Sequence, residues 1–142
     1  MPERTLVIIK PDAVEKRLIG EIMRRIEAGG LRIAAVRMVQ LTRARAEAFY
    51  EEHRDRPYWE RLIALMTSGR CVAMTVEGEN AIRHVRALVG DTDPAKAAEG
   101  TIRREFGKSV TVNCVHASDS PASAERELAF FFPGGPEEAF GF

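Results

Sequence analysis

The sequence predicts an α+β fold of the ferredoxin-like (split βαβ) type, in which a four-stranded antiparallel sheet is covered by helices, with additional helices and a long loop. Four short apolar runs are rich in β-branched residues, as strands are: TLVIIK, LRIAAVRMV, CVAMTV and VTVNCV. The segments between and after them repeat apolar residues at helical spacing, which gives the order β-α-β-(αα)-β-α-β-α. No linker or internal repeat divides the 142 residues. We therefore expect a single domain over residues 1–142, with an irregular tail at 133–142.

The first strand, residues 5–10, ends at Pro11, because proline fixes φ and lacks a backbone N–H. The helix after it ends at Gly29-Gly30, since glycine favours helix C-termini, and residues 31–39 form the second strand. The apolar stripe of that helix consists of Leu18, Ile19, Ile22 and Ile26.

Two helices separate the second strand from the third. Thr42 is a candidate cap for the first of them, and Pro57 opens the other, which ends at Gly69. The third strand, residues 71–76, follows. The apolar faces of the two helices are Ala46, Phe49 and Tyr50, and Trp59, Leu62, Ile63 and Met66.

A long connection, residues 90–109, separates the helix after the third strand from the fourth strand at 110–115. We expect only a short helical turn in it, near Ile102, and connections of this length are usually functional. The last helix begins at Ser120 and Pro121. In the helix after the third strand, the inward residues are Ile82, Val85 and Val89. In the last helix they are Ala124, Leu128 and Phe131.

The charge balance argues against two classes of partner. Basic and acidic residues number 21 each, so the formal net charge is zero, whereas nonspecific binders of nucleic acid or membrane surfaces need a basic field. The strand sequences also contain none of the aromatic residues on which RNA-binding modules of this fold stack bases. We expect no membrane and no specific nucleic acid among the partners.

The cysteines and the N-terminus indicate the compartment. The opening MPERTLVIIKPD lacks a secretory signal pattern, and no apolar run reaches membrane-spanning length. Cys71 and Cys114 lie in apolar runs, where buried free thiols are expected. We therefore expect a cytoplasmic protein. With no C-x-x-C and three scattered histidines, the chain offers no motif for a protein-bound metal.

A histidine and a carboxylate form the candidate reaction centre. His116 follows the fourth predicted strand, and Glu127 lies on the same stripe of the last helix as apolar residues, where an unpaired charge is costly. Its partner is either His116 or Ser118. A carboxylate that binds one ring nitrogen leaves the other lone pair free, as a nucleophilic histidine requires.

A second group of residues is cationic. Arg86 stands on the flank of a buried helical stripe, where a guanidinium usually has an anionic partner. Arg103 and Thr92 lie on the long connection, and Lys10 ends the first strand. Their placement at strand ends and on one loop favours a site for an anion.

Five motifs resemble those of the nucleoside diphosphate kinase family. Residues 113–119, NCVHASD, resemble its N-x-x-H-[GA]-S-D signature. KPDA at 10–13, RPYW at 56–59, GDTDP at 90–94 and GTIR at 100–103 are similar to four further family segments in the same order. The resemblance covers the whole chain except the tail, and five ordered motifs make it specific.

The resemblance implies a ping-pong reaction. His116 would be the nucleophile, phosphorylated on Nδ1 by a nucleoside triphosphate and discharged by a diphosphate, with Glu127 and Ser118 orienting it. Mg²⁺ would arrive on the nucleotide phosphates, so no protein ligands for it are expected.

The resemblance also implies the binding residues. Two arginines and a threonine would hold the phosphates, and a lysine and an asparagine would bond the sugar hydroxyls. An aromatic ring face would stack on the base beside two aliphatic side chains, which implies broad base specificity. The phosphate-binding residues would be Arg86, Arg103 and Thr92, and the sugar-binding residues would be Lys10 and Asn113. The ring that stacks on the base would be that of Tyr58, and the two aliphatic side chains would be Leu62 and Val110.

Two departures from the family pattern stand near the site. Ala117 replaces a commoner glycine, so we expect no positive φ there. Arg104-Glu105 replaces a frequent Gly-Asp pair, which alters local charge beside Arg103.

The alternative to an active enzyme is a catalytically silent nucleotide-binding regulator of the same fold. Such a protein would normally lack one of the key side chains, all of which are present here: His116, Lys10, Arg86, Arg103 and Asn113.

The tail predicts self-association. Phe140 and Phe142 lie among glycines and prolines that disfavour a helix, and a chain of zero net charge has no overall repulsion. We expect a homo-oligomer built from two-fold dimers, with the long connection, the tail or both at its contacts. The family resemblance leaves both a tetramer and a hexamer open.

Overall fold

The computed structural model describes residues 2–137 and confirms the predicted fold class. Four strands form one sheet in the order β2-β3-β1-β4, and every neighbouring pair is antiparallel. The strands are β1 (Glu3–Ile9), β2 (Arg32–Val39), β3 (Cys71–Gly78) and β4 (Val115–Ala117). The two central strands β1 and β3 adjoin in space although four helices and β2 separate them along the chain, as expected for the split βαβ arrangement with additional helices.

Seven helices accompany the sheet in the described residues: α1 (Pro11–Glu15), α2 (Ile19–Ala28), α3 (Arg43–Phe49), α4 (Trp59–Thr67), α5 (Ala81–Val89), α6 (Ile102–Phe106) and α7 (Pro121–Phe131). Short 3₁₀ turns occupy Glu51–His53 and Pro94–Lys96. Thr42 and Ser120 cap α3 and α7 as expected, each accepting a hydrogen bond from a backbone N–H three residues on.

The sheet buries both faces. Leu6 and Ile8 of β1 point into one apolar cluster, formed with α3, α4 and α7. Val7 and Ile9 point into a second cluster on the opposite face, formed with α2 and α5 among others. A strand buried on both sides reads as a continuous apolar run rather than an alternating one, which explains the sequence TLVIIK.

The predicted fourth strand at 110–115 is wrong. β4 begins at Val115, and Cys114 adopts a φ of 75°, which is incompatible with extended backbone. In the segment before β4, side chains bond two of the backbone carbonyls that a strand would pair with its neighbour. Lys10 Nζ donates to Thr111 O at 2.7 Å, and Asn113 Nδ2 donates to Val110 O at 2.9 Å. Consequently His116 lies within β4 rather than after it.

The sequence prediction overlooked α1, although proline at its first position is typical of a helix start. The short helix near Ile102 is confirmed as α6, with Thr101 as its cap. The aromatic tail residues Phe140 and Phe142 lie outside the described residues.

Candidate active site

One cavity of about 240 Å³ brings the predicted site residues together. All of them line it except Ser118, which lies behind it against Glu127. The walls come from the ends of β1 and β4, from helices α4 to α7 and from the long connection. The lining residues of the prediction are Lys10, Tyr58, Leu62, Arg86, Thr92, Arg103, Val110, Asn113, His116 and Glu127.

Glu127 holds the imidazole of His116. Its Oε1 lies 2.7 Å from His116 Nε2 and accepts a hydrogen bond from Ser118 Oγ at 2.8 Å. The carboxylate is only 5% exposed. Burial raises its pKa, but the hydrogen bonds from His116 and Ser118 and the charge of nearby Arg126 outweigh burial, so the pKa lies below its ordinary value.

An ionised Glu127 acts as an acceptor, so His116 Nε2 carries the hydrogen and donates it. In the neutral imidazole, Nδ1 then has a free lone pair, and nothing in the described part of the chain bonds to it. The rings of Phe49 and Tyr50 pack edge-on against the imidazole, with centroids 5.2 and 5.7 Å away. The imidazole is therefore fixed in position and in tautomer.

Three cations line the cavity without forming a salt bridge anywhere in residues 2–137. Lys10 and Arg103 are 4% and 5% exposed, and Arg86 stands beside them on α5. Burial, together with a neighbouring arginine, lowers the pKa of Lys10 to about 8 and that of Arg103 to about 10. Buried cations normally have an anionic partner, so this cavity is suited to an anion.

The two arginines also hold the backbone on either side of His116. Arg103 Nη2 donates to Val115 O at 2.7 Å, and Arg86 Nη1 donates to Ala117 O at 3.1 Å. Arg103 Nη1 donates to Gly90 O at 3.0 Å, which ties the start of the long connection to α6. The guanidinium groups and the nucleophile candidate are thus parts of one rigid unit.

Lys10 and Asn113 contact each other, with Lys10 Nζ 2.9 Å from Asn113 Oδ1. The turn between Asn113 and His116 is held from the end of β1: Lys10 N donates to Cys114 O at 2.9 Å, and Cys114 N donates to Asp12 Oδ2 at 3.0 Å. These contacts support the positive φ of Cys114. The KPD and NCVH segments therefore form one structure.

The opposite side of the cavity is aromatic and aliphatic. Tyr58 and Leu62 come from the start of α4, and Val110, which is 48% exposed, comes from the end of the long connection. The Tyr58 hydroxyl lies 2.5 Å from His53 Nδ1 rather than pointing to the cationic side. A half-open apolar slot of this kind accepts a flat ring.

Both departures from the family pattern are tolerated structurally. Ala117 has no positive φ, as expected. Glu105 pairs with Arg25 of α2, and Arg104 donates to Ala95 O at 3.0 Å. Neither contact touches Arg103.

Sequence analysis missed Tyr50, which lines the cavity. Its hydroxyl is buried and has no hydrogen-bond partner among the described residues, and burial raises its pKa above the ordinary value. In the sequence it belongs to an apolar stripe with Ala46 and Phe49, which is typical of core. Only its proximity to His116 distinguishes it.

Chemically, the arrangement can attack and hold a phosphoryl group. His116 lines a cavity together with three cations that form no salt bridge within residues 2–137, and guanidinium groups fit phosphate oxygens. Within residues 2–137, no three histidine, cysteine or carboxylate side chains are grouped to hold a metal ion. Nor is any helix in that part of the chain long and apolar enough to cross a membrane.

Comparison with known proteins gives a consistent result. A family model described as nucleoside diphosphate kinase matches residues 3–136. The chain is 55% identical to a nucleoside diphosphate kinase of Archaeoglobus fulgidus, covering 92% of this chain and 86% of that protein. It is 53% identical to one of Methanocaldococcus jannaschii, covering 93% and 94%.

Solved structures agree with the fold. The crystal structure of the Aquifex aeolicus nucleoside diphosphate kinase superposes with a TM-score of 0.89 at 44% identity, covering 93% of this chain and 96% of that one. The apo enzyme of Encephalitozoon cuniculi gives a TM-score of 0.91 at 36% identity, covering 98% and 94%.

Proposed function

Because the chain belongs to the nucleoside diphosphate kinase family, we propose that it transfers the γ-phosphoryl group of a nucleoside triphosphate to a nucleoside diphosphate through a phosphohistidine at His116. The observation that carries this proposal is the 2.7 Å contact between His116 Nε2 and Glu127 Oε1. It leaves Nδ1 as the nucleophilic nitrogen.

In the first half-reaction, the Nδ1 lone pair attacks the γ-phosphorus in line with the bond to the bridging oxygen. The N–P bond forms as the P–O bond breaks, and the departing nucleoside diphosphate takes the electron pair. Nε2 keeps its proton, and the ring becomes cationic. Glu127 stabilises that charge, while Ser118 holds the carboxylate. The second half-reaction reverses these steps with a different diphosphate.

The binding roles follow from the charge and shape of the cavity. Arg86 and Arg103 hold phosphate oxygens with Thr92, and Lys10 and Asn113 bond the sugar hydroxyls. Lys10 also adds positive charge near the phosphates. The nucleotide carries Mg²⁺ as part of the substrate, where the ion neutralises phosphate charge. A cavity walled by cations is suited to a Mg²⁺–nucleotide complex rather than to a resident metal.

The base is bound by stacking on its flat faces. Tyr58 stacks on it, with Leu62 and Val110 nearby, and these groups offer no hydrogen bond that reads base identity. Every base has a π-face, so stacking tolerates all of them. We expect kcat/KM values for the common nucleoside diphosphates to lie within about 100-fold of one another, since one apolar contact discriminates by only about 1–3 kcal/mol. A preference of several thousandfold would contradict this binding mode.

The decisive experiment is covalent labelling. Wild-type protein incubated with [γ-³²P]ATP should acquire an acid-labile, base-stable label that a nucleoside diphosphate removes. The His116→Ala variant should keep its fold, checked by circular dichroism, and acquire no label. A label that persists in that variant and can still be chased would reject His116. A wild-type protein that binds nucleotide but never becomes labelled would be a silent regulator.

We also propose a cytoplasmic homo-oligomer, a tetramer or hexamer assembled from two-fold dimers. Strand β2 supports the dimer, because it is an open edge of the sheet that exposes Val36 and Met38 by 51% and 50%. The two buried free thiols, Cys71 and Cys114, support a reducing compartment. Light scattering at low micromolar concentration tests the assembly, and a stable monomer would contradict it.

A further inference from the structure

The ring of Tyr58 stands at a boundary in the surface. It lines the main cavity and also an adjoining groove, whose other lining residues are Glu52, His53, Arg56, Pro57 and Asp119. Of these, Glu52, His53 and Asp119 line the main cavity as well. Tyr58 precedes the first residue of α4, and its side chain makes no capping bond there. The ring is only partly buried, so packing alone leaves it some freedom to turn toward either space.

A hydrogen bond restricts that freedom. His53 Nδ1 lies 2.5 Å from the Tyr58 hydroxyl, and within residues 2–137 this is the hydroxyl's single hydrogen bond. The two ring centroids are 5.8 Å apart at an interplanar angle of 52°. A bond at the para position of the ring restrains both side-chain torsions of the tyrosine.

His53 is itself held in place. It ends the 3₁₀ turn Glu51–His53, and its ring packs at 6.0 Å against that of buried Tyr50. The other nitrogen, Nε2, lies 3.9 Å from Glu52 Oε1. A neutral His53 with its hydrogen on Nε2 accepts a hydrogen bond from the tyrosine hydroxyl at Nδ1. A ring that carries a hydrogen on Nδ1 donates it to the tyrosine oxygen, so the pair can remain bonded in either state.

We propose that His53 is a positioning residue for nucleobase binding: its Nδ1 holds the Tyr58 ring as a preformed wall on which the base stacks. The inference rests on the proposed function, in which Tyr58 stacks on the base. A side chain that is already ordered loses less conformational entropy when the ligand arrives. His53 thereby strengthens binding of every base to a similar extent and has no part in the chemistry at His116.

The test uses two single variants, His53→Ala and Tyr58→Phe, and the double variant. Each removes the hydrogen bond, and Tyr58→Phe keeps the ring. We expect each to raise KM for ADP, GDP, CDP and UDP about 3- to 10-fold by a common factor, with kcat unchanged within twofold. The double variant should raise KM no further than the worse single variant, because the second substitution finds the bond already lost.

A substrate without a base separates positioning from structural damage. Ribose 5-diphosphate offers sugar and phosphates only, so its kcat/KM as phosphoryl acceptor should be the same in wild type and variants. His84→Ala, which alters a half-buried histidine on α5 outside the cavity, serves as the control and should leave all values unchanged.

Three results would overturn the inference: unchanged KM in both single variants, additive effects in the double variant, or an equal loss with ribose 5-diphosphate. Labelling of His116 by [γ-³²P]ATP in the wild type is measured alongside. If the wild type is labelled and the variants behave in one of these ways, only the role of His53 fails. If the wild type is never labelled, the proposed function itself fails.

Discussion

The charge on Glu127 is the feature of the site whose contribution is most open to measurement. Replacing Glu127 by Gln keeps the side-chain volume and an accepting oxygen but removes the charge. In the native site, Oε1 receives two hydrogen bonds, from His116 Nε2 and from Ser118 Oγ. Hydrogen bonds to charged groups contribute about 1.5–3 kcal/mol and neutral ones about 0.5–1.5 kcal/mol, so each bond weakens by about 1 kcal/mol.

In the proposed reaction, the bond from His116 strengthens, because the imidazole becomes cationic as the N–P bond forms. A loss of about 1–2 kcal/mol in the transition state corresponds to a fall of about 5- to 30-fold in the rate of His116 phosphorylation. KM should change little, since Glu127 touches no proposed substrate group. The bond from Ser118 is weakened equally in the resting state and in the transition state, so its change affects mainly folding stability.

Rapid-quench measurement of phosphoenzyme formation at saturating [γ-³²P]ATP reports this step directly. Glu125→Gln is the matched control, because Glu125 is exposed on the same helix and its substitution removes the same charge from the protein. A Glu127→Gln variant that is folded and is phosphorylated within twofold of the wild-type rate would refute the electrostatic role. An equal loss in the Glu125→Gln control would assign the effect to net charge instead.

Burial lowers the pKa of Lys10 to about 8. The affinity for a nucleoside triphosphate, measured by calorimetry, should therefore be constant below pH 8 and fall above it by at most about tenfold per pH unit, because the ammonium loses its proton. The Lys10→Met variant should bind the nucleotide weakly and show no such fall. Burial raises the pKa of both thiols, Cys71 and Cys114, to about 11, so a thiol reagent should titrate none in native protein and two after unfolding. Gly90 has a φ of 94°, and a Cβ there would lie 2.5 Å from Thr101 Oγ1. Gly90→Ala should therefore lower the free energy of unfolding, measured in urea, by about 2–4 kcal/mol. A decrease below about 1 kcal/mol would contradict the clash.

The fold was predictable because local signals and the global pattern agree. Proline and glycine mark the ends of most elements, and Thr42 and Ser120 cap the helices that they were expected to cap. The exceptions are α1, which was overlooked, and residues 110–114, whose β-branched sequence is typical of a strand. The side chains of Lys10 and Asn113 bond the carbonyls of Thr111 and Val110 there instead, and Lys10 lies about a hundred residues earlier in the chain.

The site could be predicted where a charged side chain lies in an apolar sequence pattern, because such a side chain needs a partner. The position of Glu127 on an apolar stripe required a partner, and the structure supplies both candidates, His116 and Ser118. Tyr50 could not be distinguished in this way, because a tyrosine in a core stripe has the same sequence pattern whether or not it faces a cavity. The bonds from Arg86 and Arg103 to backbone carbonyls were also beyond prediction, since every residue offers a carbonyl.

Those two arginine contacts have a consequence for solubility. Within residues 2–137, β4 is an outer strand that pairs with β1 alone, and an uncovered strand edge is a template on which another chain can add a strand. The guanidinium groups of Arg86 and Arg103 occupy the carbonyls of Ala117 and Val115. Replacing both arginines would therefore uncover this strand edge as well as weaken the proposed phosphate binding, so the same two side chains serve the proposed site and protect this edge against β-sheet aggregation.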